Sequence, residues 1–177
     1  MRASIRACLV GFVVLLLAVA APQAEESLRI VPLIHANRVV VSFELQDAYS
    51  DGVREAIASG LRTTFAYDLE LRVRGWVDRT IATTIVATTD RYENLTRHHT
   101  LTRTVDGRVE EALVTEDDAV VKTWLTKWNR VPLIDIAKLD PSRDYYVRVT
   151  TYTQPFGGSF LGIRKAITGQ VRFTFVP

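Results

Sequence analysis

A chain of 177 residues is the size of a single domain, and about 150 residues suffice to bury a core without help from disulfides. Its 22 Lys and Arg residues nearly balance its 20 Asp and Glu residues, which leaves a net charge of only +2. Because a protein that binds nucleic acid needs a basic surface to offset phosphates, nucleic acid is not expected as a partner.

The first 24 residues differ from the rest of the chain. Arg2 and Arg6 precede an apolar run over residues 7–21, and small residues follow. This order is typical of a secretory signal peptide. The run is shorter than the roughly 20 apolar residues of a spanning helix, so a cleaved signal over residues 1–24 is favoured, with an uncleaved anchor as the alternative. The only cysteine, Cys8, lies inside it.

Residues 25–177 are expected to form one antiparallel β-rich domain. Its first part, residues 25–37, is predicted to be a lead-in because Pro32 limits regular structure. A strand follows over residues 39–45. Ser50 or Asp51 can then cap a short helix that reaches about residue 61 and presents one apolar stripe to the sheet.

The most regular pattern in the chain is a strand over residues 63–74. Its apolar and charged residues alternate without a break, which indicates a sheet with one buried face and one wet face. Parallel strands are usually covered on both faces, so the alternation favours an antiparallel sheet. The residues expected to face the core are Phe65, Tyr67, Leu69, Leu71 and Val73.

Three more strands are predicted next, over residues 80–89, 98–105 and 108–114. The first is rich in threonine, isoleucine and valine but alternates poorly, so both of its faces are expected to be partly covered. Asp106-Gly107 separates the other two, and this dipeptide accepts the positive φ angles of a type I′ hairpin turn.

A second helix is predicted over residues 116–128, opened by a capping box at Thr115. Residues 129–144 are predicted to be a loop, and two strands, 145–152 and 170–176, close the chain. The predicted fold class is mainly β (α+β). It is an antiparallel β-sandwich or strongly bent sheet of about seven strands, with two short helices packed on it.

Several of these segments together resemble a known family of bacterial secreted proteins. The strongest are the segment Arg91–Arg97, the hairpin Thr102–Gly107, the Trp124-Leu125 helix and the strand Tyr145–Val149. They are similar to the family catalogued as domain of unknown function 4390. The resemblance covers the chain from about residue 38 to its end and implies an exported envelope protein. It implies no activity and no catalytic residues.

No constellation of reactive side chains is evident. His98 and His99 are adjacent in a strand and therefore point to opposite faces, so they cannot readily share one metal ion. Glu110 and Glu111 fail as a carboxylate pair for the same reason. Asp117-Asp118 lies where a helix start favours acids. No catalytic residue, metal or cofactor is expected, and the protein is expected not to be an enzyme.

The aromatic residues offer a candidate ligand groove lined by Trp76, Trp124 and Trp128. The alternative interpretation is that the second helix simply docks its two tryptophans onto the sheet, as an amphipathic stripe does.

The connection over residues 154–169 is the best candidate for a contact surface, because a connection of this length is uncommon in a compact domain. Exposed apolar residues next to basic ones suit an envelope protein or the membrane surface as a partner. The alternative is that they cover a sheet edge, and Phe160→Asp distinguishes the two by its effect on binding or on folding. The candidate residues are Phe156, Phe160, Leu161, Ile163, Arg164 and Lys165.

Two functional hypotheses remain, and both leave the oligomeric state open. The first is an exported, periplasmic or envelope-associated module that binds or scaffolds without catalysis. The second is a periplasmic small-ligand-binding protein or hydrolase that uses the tryptophan-lined pocket. The second requires titratable groups such as Asp78, His98 and Asp118 to gather in one concave site.

Overall fold

The computed structural model describes residues 27–155 and 166–174. These residues form nine β-strands, two α-helices and one 3₁₀ helix. The strands are β1 Leu28–His35, β2 Arg38–Leu45, β3 Thr63–Val73, β4 Arg79–Glu93, β5 His98–Val105, β6 Arg108–Thr115, β7 Lys127–Asp135, β8 Tyr145–Pro155 and β9 Ala166–Phe173. The helices are α1 Asp51–Ala58, α2 Asp118–Thr126 and the 3₁₀ helix Ile136–Lys138.

The strands form two antiparallel sheets that face each other across one core. The smaller sheet has the order β1-β2-β7 and the larger has the order β6-β5-β4-β3-β8-β9. Side chains from the two sheets meet between them, as the rings of Phe43 and Tyr67 do with centroids 4.8 Å apart. The predicted mainly β class is therefore confirmed, with the sheets arranged as a sandwich.

The alternation of β3 translates directly into burial. Its odd-numbered residues are buried, and its even-numbered residues are partly exposed, along the whole strand. Each of the five predicted core residues is buried, and β3 lies in the interior of the larger sheet between β4 and β8. This strand supplies the centre of the core, as the sequence predicts.

The structure has nine strands rather than about seven, and the first additional one corrects the predicted lead-in. Residues 28–35 form β1 although Pro32 interrupts their hydrogen-bonding capacity. β1 lies at the edge of its sheet, where a residue without an N–H is tolerated. Ala36 and Asn37 both adopt positive φ and turn the chain into β2. Because neither residue of this turn is a glycine, the sequence offers no clear signal for a hairpin at this position.

The second additional strand, β7, replaces the end of the predicted helix and the start of the predicted loop. α2 ends at Thr126, and Trp128 lies in β7 instead of on the helix. The pairing of β7 with β2 is irregular, with one register shift between Val39 and Val40 and another between Val41 and Phe43. Arg130 at positive φ and Pro132 both lie in this edge strand. Such irregularities hide a strand from period-two analysis.

Both helix starts carry side-chain caps. The hydroxyl of Ser50 accepts from the Val53 N–H at 3.4 Å and caps α1, one of the two predicted possibilities. The N-cap of α2 is Asp117, which accepts from the Ala119 N–H at 2.8 Å. Thr115, predicted to cap this helix, accepts instead from the Asp117 N–H at 3.0 Å. The cap thus lies two residues later than predicted.

The Asp106-Gly107 turn is confirmed as a two-residue hairpin. Both residues have positive φ, 47° and 79°, which is the signature of a type I′ turn. Within the described residues, no helix combines the length and the apolar character that crossing a membrane would require.

Candidate functional site

The outer face of the larger sheet divides into two halves of different chemistry. The half formed by β4, β5 and β6 carries a contiguous set of uncharged side chains that are cross-strand neighbours, and the exposed Arg91 of β4 borders this set opposite Thr100. We call these nine residues the neutral face: Ile85, Ala87, Thr89, Thr100, Thr102, Thr104, Val109, Ala112 and Val114.

Three apolar side chains of the neutral face are open to solvent. The exposed fractions are 50% for Ile85, 65% for Val109 and 59% for Val114. Between them lie threonines and alanines that are partly exposed, so the surface is flat and lacks long side chains. Soluble proteins seldom leave such a contiguous apolar surface uncovered unless it contacts something.

The other half of the outer face, on β3, β8 and β9, is charged. Glu70 accepts from Arg72 at 3.4 Å and from Thr80 at 3.1 Å, and it also pairs with Arg148 at 3.7 Å. Arg172 pairs with Asp144 at 2.8 Å at the margin. Most of the charged residues of this half thus pair with one another, whereas the neutral face carries no charge.

The neutral face ends at an edge strand. β6 occupies the end of the larger sheet, and β5 is its only strand partner among the described residues. The first half of β6 contains a register shift next to Glu110, opposite Arg103 and Thr104. Residues 112–115 follow this irregularity in regular register with β5 and carry no charge.

On the inner side of β5, Arg103 lies between two tryptophans. Its guanidinium carbon lies 4.5 Å from the ring centroid of Trp124 and 4.7 Å from that of Trp128. Nη2 donates to the carbonyl oxygens of Trp124 at 3.1 Å and Lys127 at 2.6 Å. Burial lowers the pKa of Arg103, and the nearby Glu111 carboxylate opposes that shift. This stack fastens the end of α2 and the start of β7 to the larger sheet.

A groove of about 350 Å³ runs beside this stack, between β5 and β6 on one side and β7 on the other. Trp128 forms part of its wall. Charged residues of both signs line it as well, among them Arg103, Glu110, Glu111 and Arg130. The groove therefore lies between β6, the edge strand of the larger sheet, and β7, the edge strand of the smaller sheet.

A buried acid–imidazole pair lies near α1 and α2. Asp90 is fully buried, and its Oδ2 lies 2.9 Å from Nδ1 of the buried His99. The Tyr92 ring packs on His99 with centroids 4.6 Å apart. Burial raises the pKa of Asp90, and the hydrogen bond from His99 partly opposes this rise. Asp90 Oδ1 has no hydrogen-bond partner in the described part of the chain.

Two further side-chain pairs lie near the start of α2. The Tyr49 hydroxyl donates to Asp118 on α2, and burial together with this carboxylate raises the pKa of Tyr49. His98 Nε2 lies 3.0 Å from Glu116 Oε1, with both side chains open to solvent. Consecutive histidines thus contact different acids on opposite faces, as their alternation in the strand predicts.

The titratable groups proposed for a hydrolase do not converge. Asp78 lies in the turn between β3 and β4, where it accepts from the Gly75 N–H at 3.2 Å and from the Tyr146 hydroxyl at 2.8 Å. These bonds lower the pKa of Asp78. Asp90, close to His99, lies roughly 35 Å along β4 from Arg79, the residue that follows Asp78. His98 and Asp118 are therefore remote from Asp78.

The three tryptophans of the candidate groove are also divided. Trp124 and Trp128 enclose Arg103, as described above. Trp76 is fully exposed in the turn after β3, roughly 20 Å along that strand from Tyr67, whose hydroxyl contacts the end of α2. Trp76 does not share a surface with the other two, because its turn lies beyond the end of β3 and Tyr67, near the end of α2, lies in the middle of that strand.

The candidate contact residues Phe156, Phe160, Leu161, Ile163, Arg164 and Lys165 lie outside the described residues. In the part of the chain that is described, no three His, Cys, Asp or Glu side chains gather closely enough to hold a metal ion.

Sequence reasoning missed the contacts of Asp90, His99, Arg103 and Tyr49. One signal was available for Asp90, because counting in twos from Val86 places it on the inner face of β4. A charged residue on an inner face needs a partner. Finding that partner requires the register between β4 and β5.

Comparison with protein families identifies a family model that matches most of the chain. The model described as "Domain of unknown function (DUF4390)" matches residues 26–155, which include β1 to β8. No curated protein and no solved structure matches the chain.

Proposed function

The chain belongs to the DUF4390 family, a domain of unknown function, and we propose that it is a non-catalytic binding module that holds a partner protein on its neutral face. The observation that carries this proposal is the contrast on one sheet surface between a charged half and a contiguous uncharged patch, the neutral face, which Arg91 borders. A sheet face that residues 27–155 and 166–174 leave uncovered, with three exposed β-branched apolar residues, suits contact with another macromolecule.

The environments of the titratable groups support a role without catalysis. Asp90 and His99 contact each other in the interior, and Tyr49, just before α1, contacts Asp118 at the start of α2. Arg103 caps backbone carbonyls. Each of these contacts joins two separate segments of the chain, as a structural contact does.

We also propose that the protein is exported and acts in the bacterial periplasm or envelope. The charged start, apolar run and small residues of positions 1–24 support this location, as does the resemblance described above. Mass spectrometry of the intact protein from cells tests it. A mature protein that begins near residue 25 indicates release, whereas one that retains residue 1 indicates a tether. Recovery of the protein from the cytoplasm with residue 1 intact contradicts export.

The binding role is tested by site-specific photocrosslinking in cells. A photoreactive amino acid replaces Thr102 at the centre of the neutral face, and a matched variant carries it at Thr168 on β9. We expect one defined crosslinked partner from position 102 and none of that mass from position 168. Equal products from both positions, or none from position 102, would contradict the proposal.

The groove between β6 and β7 favours a second candidate function, the binding of a small zwitterion. Its volume of about 350 Å³ fits a dipeptide, and its wall offers carboxylates for an amine and Arg130 for a carboxylate. A titration with dialanine, followed by tryptophan fluorescence, tests this role. Saturable change in the wild type but not in Trp128→Phe supports it, and an unchanged spectrum excludes dialanine as a ligand.

A further inference from the structure

We propose that β6 accepts an extended segment of the partner protein as an additional strand of the larger sheet. The segment has an uncharged, β-branched core and basic residues at both ends. This inference rests on the proposed function, because it specifies how a partner would reach the neutral face.

The backbone of β6 offers hydrogen bonds to such a segment. The two-residue turn closes on the pair Val105–Arg108, whose backbone groups bond to each other. The backbone groups of successive residues point to opposite sides of a strand, so every second residue of β5 counted from Val105 faces β6. Leu101 is one of these residues, and it therefore bonds to its partner Leu113. The N–H and C=O groups of Ala112 and Val114 therefore point away from β5, toward the open edge.

This stretch of the edge lacks the usual protection against strand pairing. Proteins protect exposed edges with charges, prolines or bulges. The first half of β6 has the register shift and Glu110, and the edge strand β7 has Pro132 and the irregular Arg130. Residues 112–115 have none of these.

The charges around the open stretch define the partner. Acidic residues flank it on both sides, and no Lys or Arg occurs from residue 109 to residue 121. An incoming segment with basic residues before and after its core would meet opposite charges at both ends. A second copy of β6 in antiparallel pairing would bring acids toward acids, which disfavours self-association. The acids are Glu110, Glu111, Glu116, Asp117 and Asp118.

The neutral face explains the expected core of the segment. Strand addition would place alternate side chains of the segment beside Val114 and Ala112 on the outer face. Valine and threonine would extend the existing surface of threonines and valines without burying a charge. Main-chain bonds then contribute affinity, and the flanking charges contribute selectivity.

The inference is tested with two fluorescent peptides and the full-length protein. The peptide KKVTVTKK carries the proposed chemistry, and EEVTVTEE is the charge-reversed control. Fluorescence anisotropy should show binding of the basic peptide that weakens as NaCl is raised, because salt screens the flanking charges. The acidic peptide should not bind.

Ala112 allows a matched pair of variants at the edge. Ala112→Pro removes an outward N–H without removing a bond to β5, and Ala112→Val keeps the N–H. We expect Ala112→Pro to weaken binding by about tenfold or more, and Ala112→Val to change it by less than about twofold. Equal binding by the proline variant, or equal binding of both peptides, would overturn the inference.

Hydrogen exchange of the wild-type protein gives a readout that does not depend on the folding of a variant. The basic peptide should slow exchange at the amides of Ala112 and Val114, and unchanged exchange there overturns strand addition. Self-association of the wild type that Ala112→Pro abolishes would also overturn it, because a second copy would then occupy the edge.

The outcomes separate this inference from the proposed function. A partner that crosslinks at position 102 equally well in the Ala112→Pro background would leave the binding role intact and overturn strand addition. Peptide binding at the edge without any crosslinked partner at position 102 would retain the edge site and reject the neutral face as the docking surface.

Discussion

The guanidinium of Arg103 lies against the ring of Trp128, with 4.7 Å between its central carbon and the ring centroid. These residues belong to different sheets, β5 in the larger and β7 in the smaller. The same guanidinium donates to backbone carbonyls at the end of α2, where the chain passes directly from helix to strand without a glycine cap. One side chain thus positions a helix end and a sheet edge at once.

Replacement of Arg103 should therefore destabilise the whole fold. Arg103→Lys keeps a positive charge but loses the planar stacking and the fork of donors, so the free energy of unfolding should fall by about 1.5–3 kcal/mol. Urea denaturation measures the change. Arg172→Lys, at an exposed ion pair, is the matched control and should stay within about 0.5 kcal/mol. Equal effects at the two positions would contradict the proposed stack.

Tyr67 makes a second contact with the end of α2. Its buried hydroxyl donates to the carbonyl oxygen of Leu125 at 2.7 Å, and burial raises its pKa. Tyr67→Phe leaves that carbonyl without its partner and should cost about 1–2 kcal/mol in the free energy of unfolding. Thr102→Val, which alters a hydroxyl on the outer face, should change it by less than about 0.5 kcal/mol. Thermal unfolding of the two variants compares them directly, and a stable Tyr67→Phe would show that the bond is dispensable.

Asp90 should make stability depend on pH in an unusual direction. Because burial raises the pKa of Asp90 above its unfolded value, the folded state binds this proton more tightly than the unfolded state does. The contribution of Asp90 to the free energy of unfolding is therefore fully present below about pH 4, and it is lost as the pH rises through the pKa of Asp90 in the folded state. The groups that face it are His99, Tyr49 and Asp118.

Asp90→Asn removes that titration. The stability of the variant relative to the wild type should increase as the pH is raised from about 4 to 7, measured by urea denaturation at each pH. Asp144→Asn is the control of opposite sign, because Arg172 lowers the pKa of Asp144. In the wild type, the stabilising contribution of Asp144 is present above its pKa in the unfolded state and is lost as the pH falls through its pKa in the folded state. The same slope for both variants would show that burial does not dominate at Asp90.

The hairpin turn gives a local test of backbone conformation. Gly107 has a φ of 79°, and a Cβ there would meet no atom within 4 Å, so any effect of Gly107→Ala arises from the backbone alone. A non-glycine residue in this region costs about 1–2 kcal/mol, and unfolding measurements should show that loss. Gly75→Ala, at a position without a positive φ, should be nearly neutral. Comparable losses at both glycines would point to packing instead.

Sequence patterns were sufficient wherever one strand or one turn determined its own structure. The alternation of β3 specified its buried face, because side chains of a strand alternate whatever lies next to it. Asp106-Gly107 specified its turn through its allowed φ angles. The opposite directions of His98 and His99 followed from the same alternation.

Only the tertiary structure decided which strands are neighbours and what meets across them. β1 escaped prediction because Pro32 is tolerated only at an edge, and the position of an edge is a property of the sheet. The Asp90–His99 pair, the Arg103 stack and the neutral face all depend on register between strands. Register arises from long-range packing, which local residue patterns do not contain.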